Sequence, residues 1–252
     1  MLLTEDPPLD LPTPSGPMRT YVYRPLPAQG TTAAPSRHPG VVLFSEIYQR
    51  TGPIHRLAQL VAGHGFVVAV PEIFHELEAP GTVLAYDKAG TDRGNACKLG
   101  KSIAAYDADV RAALDGLAGH PHCNGRLGAV GVCIGGHLAF RAALQPDVRA
   151  TACFYATDLH KGSLGAGGDD SLARTGAIQG EVMMVWGRQD PHIPDEGRAL
   201  IQARLVATGR VFTWHEVNAQ HAFLRDEGPR FDPALALAAY GQLVNLFTRA
   251  LA

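Results

Sequence analysis

The stretch Gly131-Val132-Cys133-Ile134-Gly135-Gly136 lies between two segments of different periodicity. Before it, Leu127-Gly128-Ala129-Val130 is a short apolar run of the kind that forms a buried strand; after it, residues 137–144 read as a helix. A nucleophilic side chain with glycine two positions before and two after, at a strand-to-helix junction, is the pattern of a nucleophile elbow, with Cys in place of Ser. The turn is so tight that side chains on its flanks would collide with the strand and helix it joins, and Gly131 and Gly135 remove those collisions. The central side chain is left exposed at the carboxyl edge of the sheet. Cys133 is therefore the candidate nucleophile.

Outward from the elbow, short apolar strands alternate with amphipathic helices. Strands are expected at 41–44, 66–70, 151–155, 182–186 and 212–217. Pro53 opens a helix whose apolar positions Ile54, Leu57, Ala58 and Val61 follow i, i+3, i+4, i+7. Further helices are expected from Ile103 to Leu117, from 195 to 208, and from Asp232-Pro233 to the end, the last with Leu237, Tyr240, Val244, Phe247 and Leu251 turned inward. This alternation predicts an α/β chain with a mostly parallel central sheet and helices on both faces. Residues 20–23 read as a first, edge-like strand and 29–39 as a polar connection. Residues 1–17, with Pro7, Pro8, Pro12, Pro14 and Pro17, are expected to be extended and loose on the surface, leaving 18–252 as a single domain. Residues 71–101 are long, polar and Gly-bearing, as functional loops are.

Composition narrows the function class. With 46% apolar and 18% charged residues the chain is an ordinary globular protein, and its net charge of −2 gives no electrostatic footprint for nucleic acid. No apolar run approaches the ~20 residues that span a bilayer, and acids and prolines follow Met1 where a signal peptide carries bases and an apolar core. The spacing of Cys97, Cys123, Cys133 and Cys153 implies no disulfide framework, so a cytoplasmic home is expected. His120-Pro121-His122-Cys123 contains metal-ligand residue types but lies between a helix and a strand, on the edge away from the elbow, without a matching second half. Neither a metal nor a cofactor is expected. Partners reduce to a small molecule, with the chain a monomer or weak homodimer.

A thiol at an elbow needs a base, and the base needs an orienting acid. Asp190, in Gly187-Arg188-Gln189-Asp190-Pro191, follows the strand ending at Trp186; His221 follows the strand ending at Val217. Both strand ends fall on the carboxyl edge, where open α/β sheets bind ligands, and the order nucleophile, acid, histidine fits the elbow.

These residues resemble the dienelactone hydrolase family of the α/β-hydrolase fold. The matching pieces are 131–136, Gly187 to Pro191, His221-Ala222-Phe223-Leu224-Arg225 and Phe44-Ser45-Glu46-Ile47-Tyr48, and the likeness runs from about residue 18 to the end. The resemblance implies Cys133 as nucleophile, His221 as general base and acid, Asp190 as orienter, and Glu46 as a group that helps deprotonate the thiol. It also implies backbone N–H groups of Ile134 and Ile47 as an oxyanion hole, and Arg225 as a contact to a substrate carboxylate. Tyr48 and Arg93 complete the expected substrate-binding set, with Arg93 or Lys98 standing where the family has a second arginine. The expected reaction is hydrolysis of an ester or enol lactone, a carboxylate-bearing one among the candidates, through an acyl-enzyme. The alternatives are another ester or thioester on the same residues, or a thiol redox sensor or binding scaffold without turnover.

Overall fold

Nine strands form one sheet in the computed structural model, which describes residues 2–26 and 36–252. In chain order they are β1 (Leu3–Glu5), β2 (Leu9–Thr13), β3 (Gly16–Pro25), β4 (His38–Phe44), β5 (Val67–Pro71), β6 (Cys123–Val132), β7 (Val148–Phe154), β8 (Glu181–Gly187) and β9 (Phe212–Val217). Across the sheet the order is β1-β3-β5-β4-β6-β7-β8-β9, with β2 also paired to β3. From β5 to β9 every pairing is parallel; β1, β2 and β3 pair antiparallel.

Helices α1 (Gly52–Gly63), α2 (Lys88–Gly100), α3 (Ile103–Ala118), α4 (Ile134–Ala143), α5 (Asp195–Ala207) and α6 (Pro233–Ala250) connect and cover the strands. Gly40 and its partner Leu127 share one face of the sheet, and Gly128 turns to the other. A Cβ on Gly40 would strike Leu117 of α3 at 2.8 Å, whereas one on Gly128 would meet Phe247 of α6 at 3.2 Å. Helices therefore lie against both faces, and β5 is buried along its whole length. From β4 the chain passes through α1 to β5 on one side, then returns through α2 and α3 to β6 on the other. That reversal opens a crevice at the carboxyl ends of β4 and β6.

The N-terminal segment is extended but not loose. Among its residues β1 and β2 are hydrogen-bonded to β3, and Leu3, Leu9 and Leu11 pack on the core. Pro12 faces Pro17 in the β2–β3 hairpin, an outer position that needs no donor from either ring. Residues 20–23 are thus part of an interior strand rather than an edge. Within 71–101, α2 replaces half of the expected loop. Asp87 caps it by accepting from the Gly90 N–H at 2.7 Å, and its buried face is Gly90, Gly94 and Cys97. In α6 the buried positions are Ala236, Ala239, Leu243, Leu246 and Phe247, while Leu237 is exposed. The inward face is therefore rotated from the expected stripe of larger side chains, with Ala236 and Ala239 buried and Tyr240 only partly so. The connection expected at 29–39 lies mostly outside the described residues.

Candidate active site

Cys133 sits between β6 and α4 at φ 59°, ψ −124°, a conformation that costs a non-glycine residue energy and that the surroundings must enforce. Its N–H donates to the Phe154 carbonyl (3.1 Å), and its own carbonyl accepts from Gly136 N (3.0 Å) and Thr157 N (3.2 Å). The flanking glycines are required sterically. A Cβ on Gly131 would lie 1.9 Å from the Gly135 carbonyl oxygen, and one on Gly135 would lie 2.1 Å from that of Phe44. Phe44 of β4 is in register with Gly131 of β6. Ile47 and Ile134 each follow three residues later, on the two sides of the crevice. Ile134 opens α4, where the helix has no carbonyl for its N–H.

The loops after β8 and β9 are tied together. Arg188 N donates to the Val217 carbonyl (2.8 Å) and Gln189 N to that of Ala219 (2.9 Å), while a Cβ on Gly187 would lie 2.4 Å from the Ala219 oxygen. This brings His221 to Asp190, both buried: Asp190 Oδ2 accepts from His221 Nδ1 at 2.6 Å. Asp190 Oδ1 accepts from the His192 N–H at 2.8 Å, which fixes the carboxylate plane. With Nδ1 occupied, Nε2 is the ring nitrogen left free in the cavity that His221 shares with Cys133. The rings of Tyr155 and His192 stand edge-to-face against the imidazole at 5.0 and 4.7 Å. Burial disfavours charge on His221, but Cys133 and Asp190 outweigh it, and the imidazole is pushed up to about 10.

A cavity of about 270 Å³ opens over these groups; Cys133, His221, Glu46, Ile47, Tyr48 and Arg225 all line it. Glu46 is buried, and its carboxyl is raised above the ordinary range by burial, against the pull of Arg225. Arg225 Nη1 lies 3.7 Å from Glu46 Oε2, and its guanidinium stacks 4.3 Å from the Tyr86 ring centre and 5.7 Å from that of Tyr48. Tyr86 donates to Glu46 at 3.2 Å, and the Tyr48 hydroxyl meets that of Thr91 at 2.8 Å. Asp226 and Glu227, the acids next to Arg225, pair with Arg56 instead.

Arg93, expected to contact substrate, is outside this wall: its guanidinium bonds Glu78 and the Leu77 carbonyl. Its place on α2 faces away, because Gly94 packs against Ile47, where a Cβ would lie 2.6 Å from the Ile47 carbonyl. Lys98 does line the cavity, as do Thr91, Asn95, Asp158, His192 and Arg230. The last five, with Tyr86, escape sequence reasoning. Only Arg230 carries any local signal, as a second arginine shortly after His221 in a segment that also caps α6. Asp190, His192 and His221 each place one potential metal-ligand atom within 4.8 Å of the others, but Asp190 and His221 already use such atoms on each other.

The family model for the dienelactone hydrolase family matches residues 21–251. A Saccharomyces cerevisiae protein provisionally named a carboxymethylenebutenolidase is 43% identical over 242 residues, covering 93% of this chain and 87% of its own. The carboxymethylenebutenolidase of Pseudomonas sp. (strain P51) is 26% identical over 227 residues, covering 89% and 87%. Among solved structures, a provisionally assigned dienelactone hydrolase from Klebsiella pneumoniae superposes with a TM-score of 0.81 at 19% identity, covering 99% of this chain and 100% of that one.

Proposed function

The chain belongs to the dienelactone hydrolase family and is a carboxylic ester hydrolase of that type, and we propose that it works through Cys133, His221 and Asp190 by way of an acyl-enzyme. The observation that carries this reading is the 2.6 Å bond from His221 to Asp190, in a cavity that His221 shares with the cysteine of a glycine-framed elbow. Thiolate sulfur attacks the ester carbonyl, and the negative charge moves to the carbonyl oxygen. The N–H groups of Ile134 and Ile47 receive that oxyanion; each such donor is worth about 3–4 kcal/mol at the transition state. Collapse breaks the bond to the alcohol oxygen, which takes a proton from the His221 imidazolium. The neutral imidazole then takes a proton from water, whose oxygen attacks the thioester; acid leaves and the thiol is restored.

Sulfur also selects the substrate. Thiolate departs more readily than an ordinary alkoxide, so the first tetrahedral species goes forward only when the alcohol is stabilised as an anion. An enol lactone or an activated ester meets that condition, and an amide does not. Expected: Cys133→Ala and His221→Ala each reduce p-nitrophenyl acetate turnover by at least about 10³-fold. Turnover near the parent rate in either variant contradicts the assignment.

A further inference from the structure

In the second half of an acyl-enzyme reaction, water must give one proton to His221 and point a lone pair at the thioester carbon. One hydrogen bond to His221 leaves that water free to turn, so a second fixed partner on the wall is needed to hold it. Most polar groups in and behind the wall are already engaged. Glu46 accepts from Tyr86 at 3.2 Å and lies 3.7 Å from Arg225, while Lys98 Nζ lies 2.7 Å from Asp158 Oδ2. The hydroxyls of Tyr48 and Thr91 meet at 2.8 Å, and Asp190 accepts from His221 and from the His192 N–H.

The His192 ring is in a different position. It stands edge-to-face on the His221 imidazole, centroids 4.7 Å apart, and lines the cavity, whereas Tyr155, the other ring on that imidazole, is buried. A ring nitrogen of His192 comes within 4.8 Å of one of His221, a gap that one water closes with two hydrogen bonds of about 2.8 Å. Among the described residues neither ring nitrogen of His192 has a hydrogen-bond partner. Its backbone is pinned. The His192 N–H donates to Asp190 Oδ1 at 2.8 Å, Ile193 N donates to the Asp190 carbonyl at 3.3 Å, and the Ile193 carbonyl accepts from buried Arg198 at 2.7 Å. The loop that aims Asp190 at His221 thus also fixes His192 beside it. Partial desolvation and the charge of His221 both hold His192 below its ordinary 6.5, so at neutral pH one of its ring nitrogens is a free acceptor.

We propose that His192 is a catalytic residue of deacylation, which holds the attacking water against His221 by accepting a hydrogen bond from its second O–H. The inference rests on the acyl-enzyme reading. His221 takes one proton from the water, the water oxygen bonds to the thioester carbonyl carbon, and His192 keeps the remaining O–H in place. When the tetrahedral species collapses, the C–S bond breaks and its electron pair leaves on the Cys133 sulfur. The acid departs with the hydrogen that His192 held, and His221 is left as imidazolium beside the thiolate. No proton passes to His192. Acylation uses no water, so that half of the reaction proceeds without it.

Single-turnover mixing of excess protein with p-nitrophenyl acetate separates the two halves. Release of p-nitrophenol reports acylation, and loss of the acetyl mass from quenched protein reports deacylation. His192→Phe keeps an edge-on ring and removes both nitrogens. It is expected to slow acetyl loss by about tenfold, the scale of one lost hydrogen bond, while acylation stays within about twofold of the parent. His192→Gln, whose side-chain oxygen accepts a hydrogen bond, recovers part of the rate. Hydroxylamine attacks a thioester without first giving up a proton, so it is expected to discharge the parent and His192→Phe acetyl-enzymes at similar rates. Unchanged acetyl loss in His192→Phe, or equal slowing of both halves, overturns the proposal. So does a larger deacylation loss in Asn95→Ala or Thr157→Val, which alter other polar residues of the wall. Parent protein that carries no acetyl group on Cys133 at any quench time strikes the acyl-enzyme reading itself, and the inference falls with it.

Discussion

At His221, burial and charge act in opposite directions, and charge prevails. An imidazolium raised to about 10 suits the proposed mechanism, in which His221 is the counter-ion of the thiolate and the acid for the departing alcohol. Because Cys133 is the foremost of the groups raising it, removing the sulfur must lower it. In Cys133→Ala protein, the His221 ring titration followed by NMR is expected well below its parent value of about 10. An unchanged titration would mean that the two side chains are not coupled. The linkage has a definite sign. A pKa raised above the ordinary 6.5 stabilises the folded chain fully below about that pH, and the contribution fades as pH climbs through about 10. Cys133, Asp190 and His221 are legible in the sequence because each stands at a punctuation mark, a glycine frame or the end of an apolar run. Tyr86 and His192 are not. Tyr86 is defined by Glu46 and Arg225, far from it in sequence, and His192 by its contact with His221 on another loop.

Among the elements, the elbow is the one whose geometry leaves least freedom. A methyl group on Gly135 would point at the carbonyl oxygens of Phe44 and Ser45, 2.1 and 2.5 Å away, and both belong to backbone that cannot swing aside. Gly135→Ala is therefore expected to cost at least about 2 kcal/mol in urea unfolding and to lower turnover, because β4 and the elbow carry Ile47 and Ile134. Gly176→Ala, where nothing lies within 4 Å, is expected to be close to neutral. Equal stability of the two variants would show that the glycine frame is not a steric requirement. The same physics explains the elements that pattern reading misses. The buried face of α2 is two glycines and a cysteine at i, i+4 and i+7, so its helical period is written in missing side chains. The prolines that make residues 1–17 look loose are compatible with outer strands, and Leu11 reaches α3 only because Gly116 leaves room: a Cβ there would lie 2.6 Å from it.

For the whole molecule, strand order matters more than any single contact. The alternation of short strands and helices, readable from the sequence, becomes a sheet whose direction of growth reverses between β5 and β6, with β4 at the turning point. Glu46 and Ile47 follow β4, Cys133 and Ile134 follow β6, and Asp190 and His221 follow β8 and β9, so residues scattered over 176 positions of sequence meet along one rim. Four cysteines are present and none is bridged, yet Cys97, Cys123 and Cys153 are buried, and Cys133 alone is partly open, in the cavity. The most direct test of the account is therefore chemical. Protein mixed with p-nitrophenyl acetate, acid-quenched within the first turnover and digested for mass spectrometry, is expected to carry the acetyl group on the peptide containing Cys133. Acetyl found on another residue, or hydrolysis at the parent rate with no acetyl on Cys133 at any quench time, would contradict it.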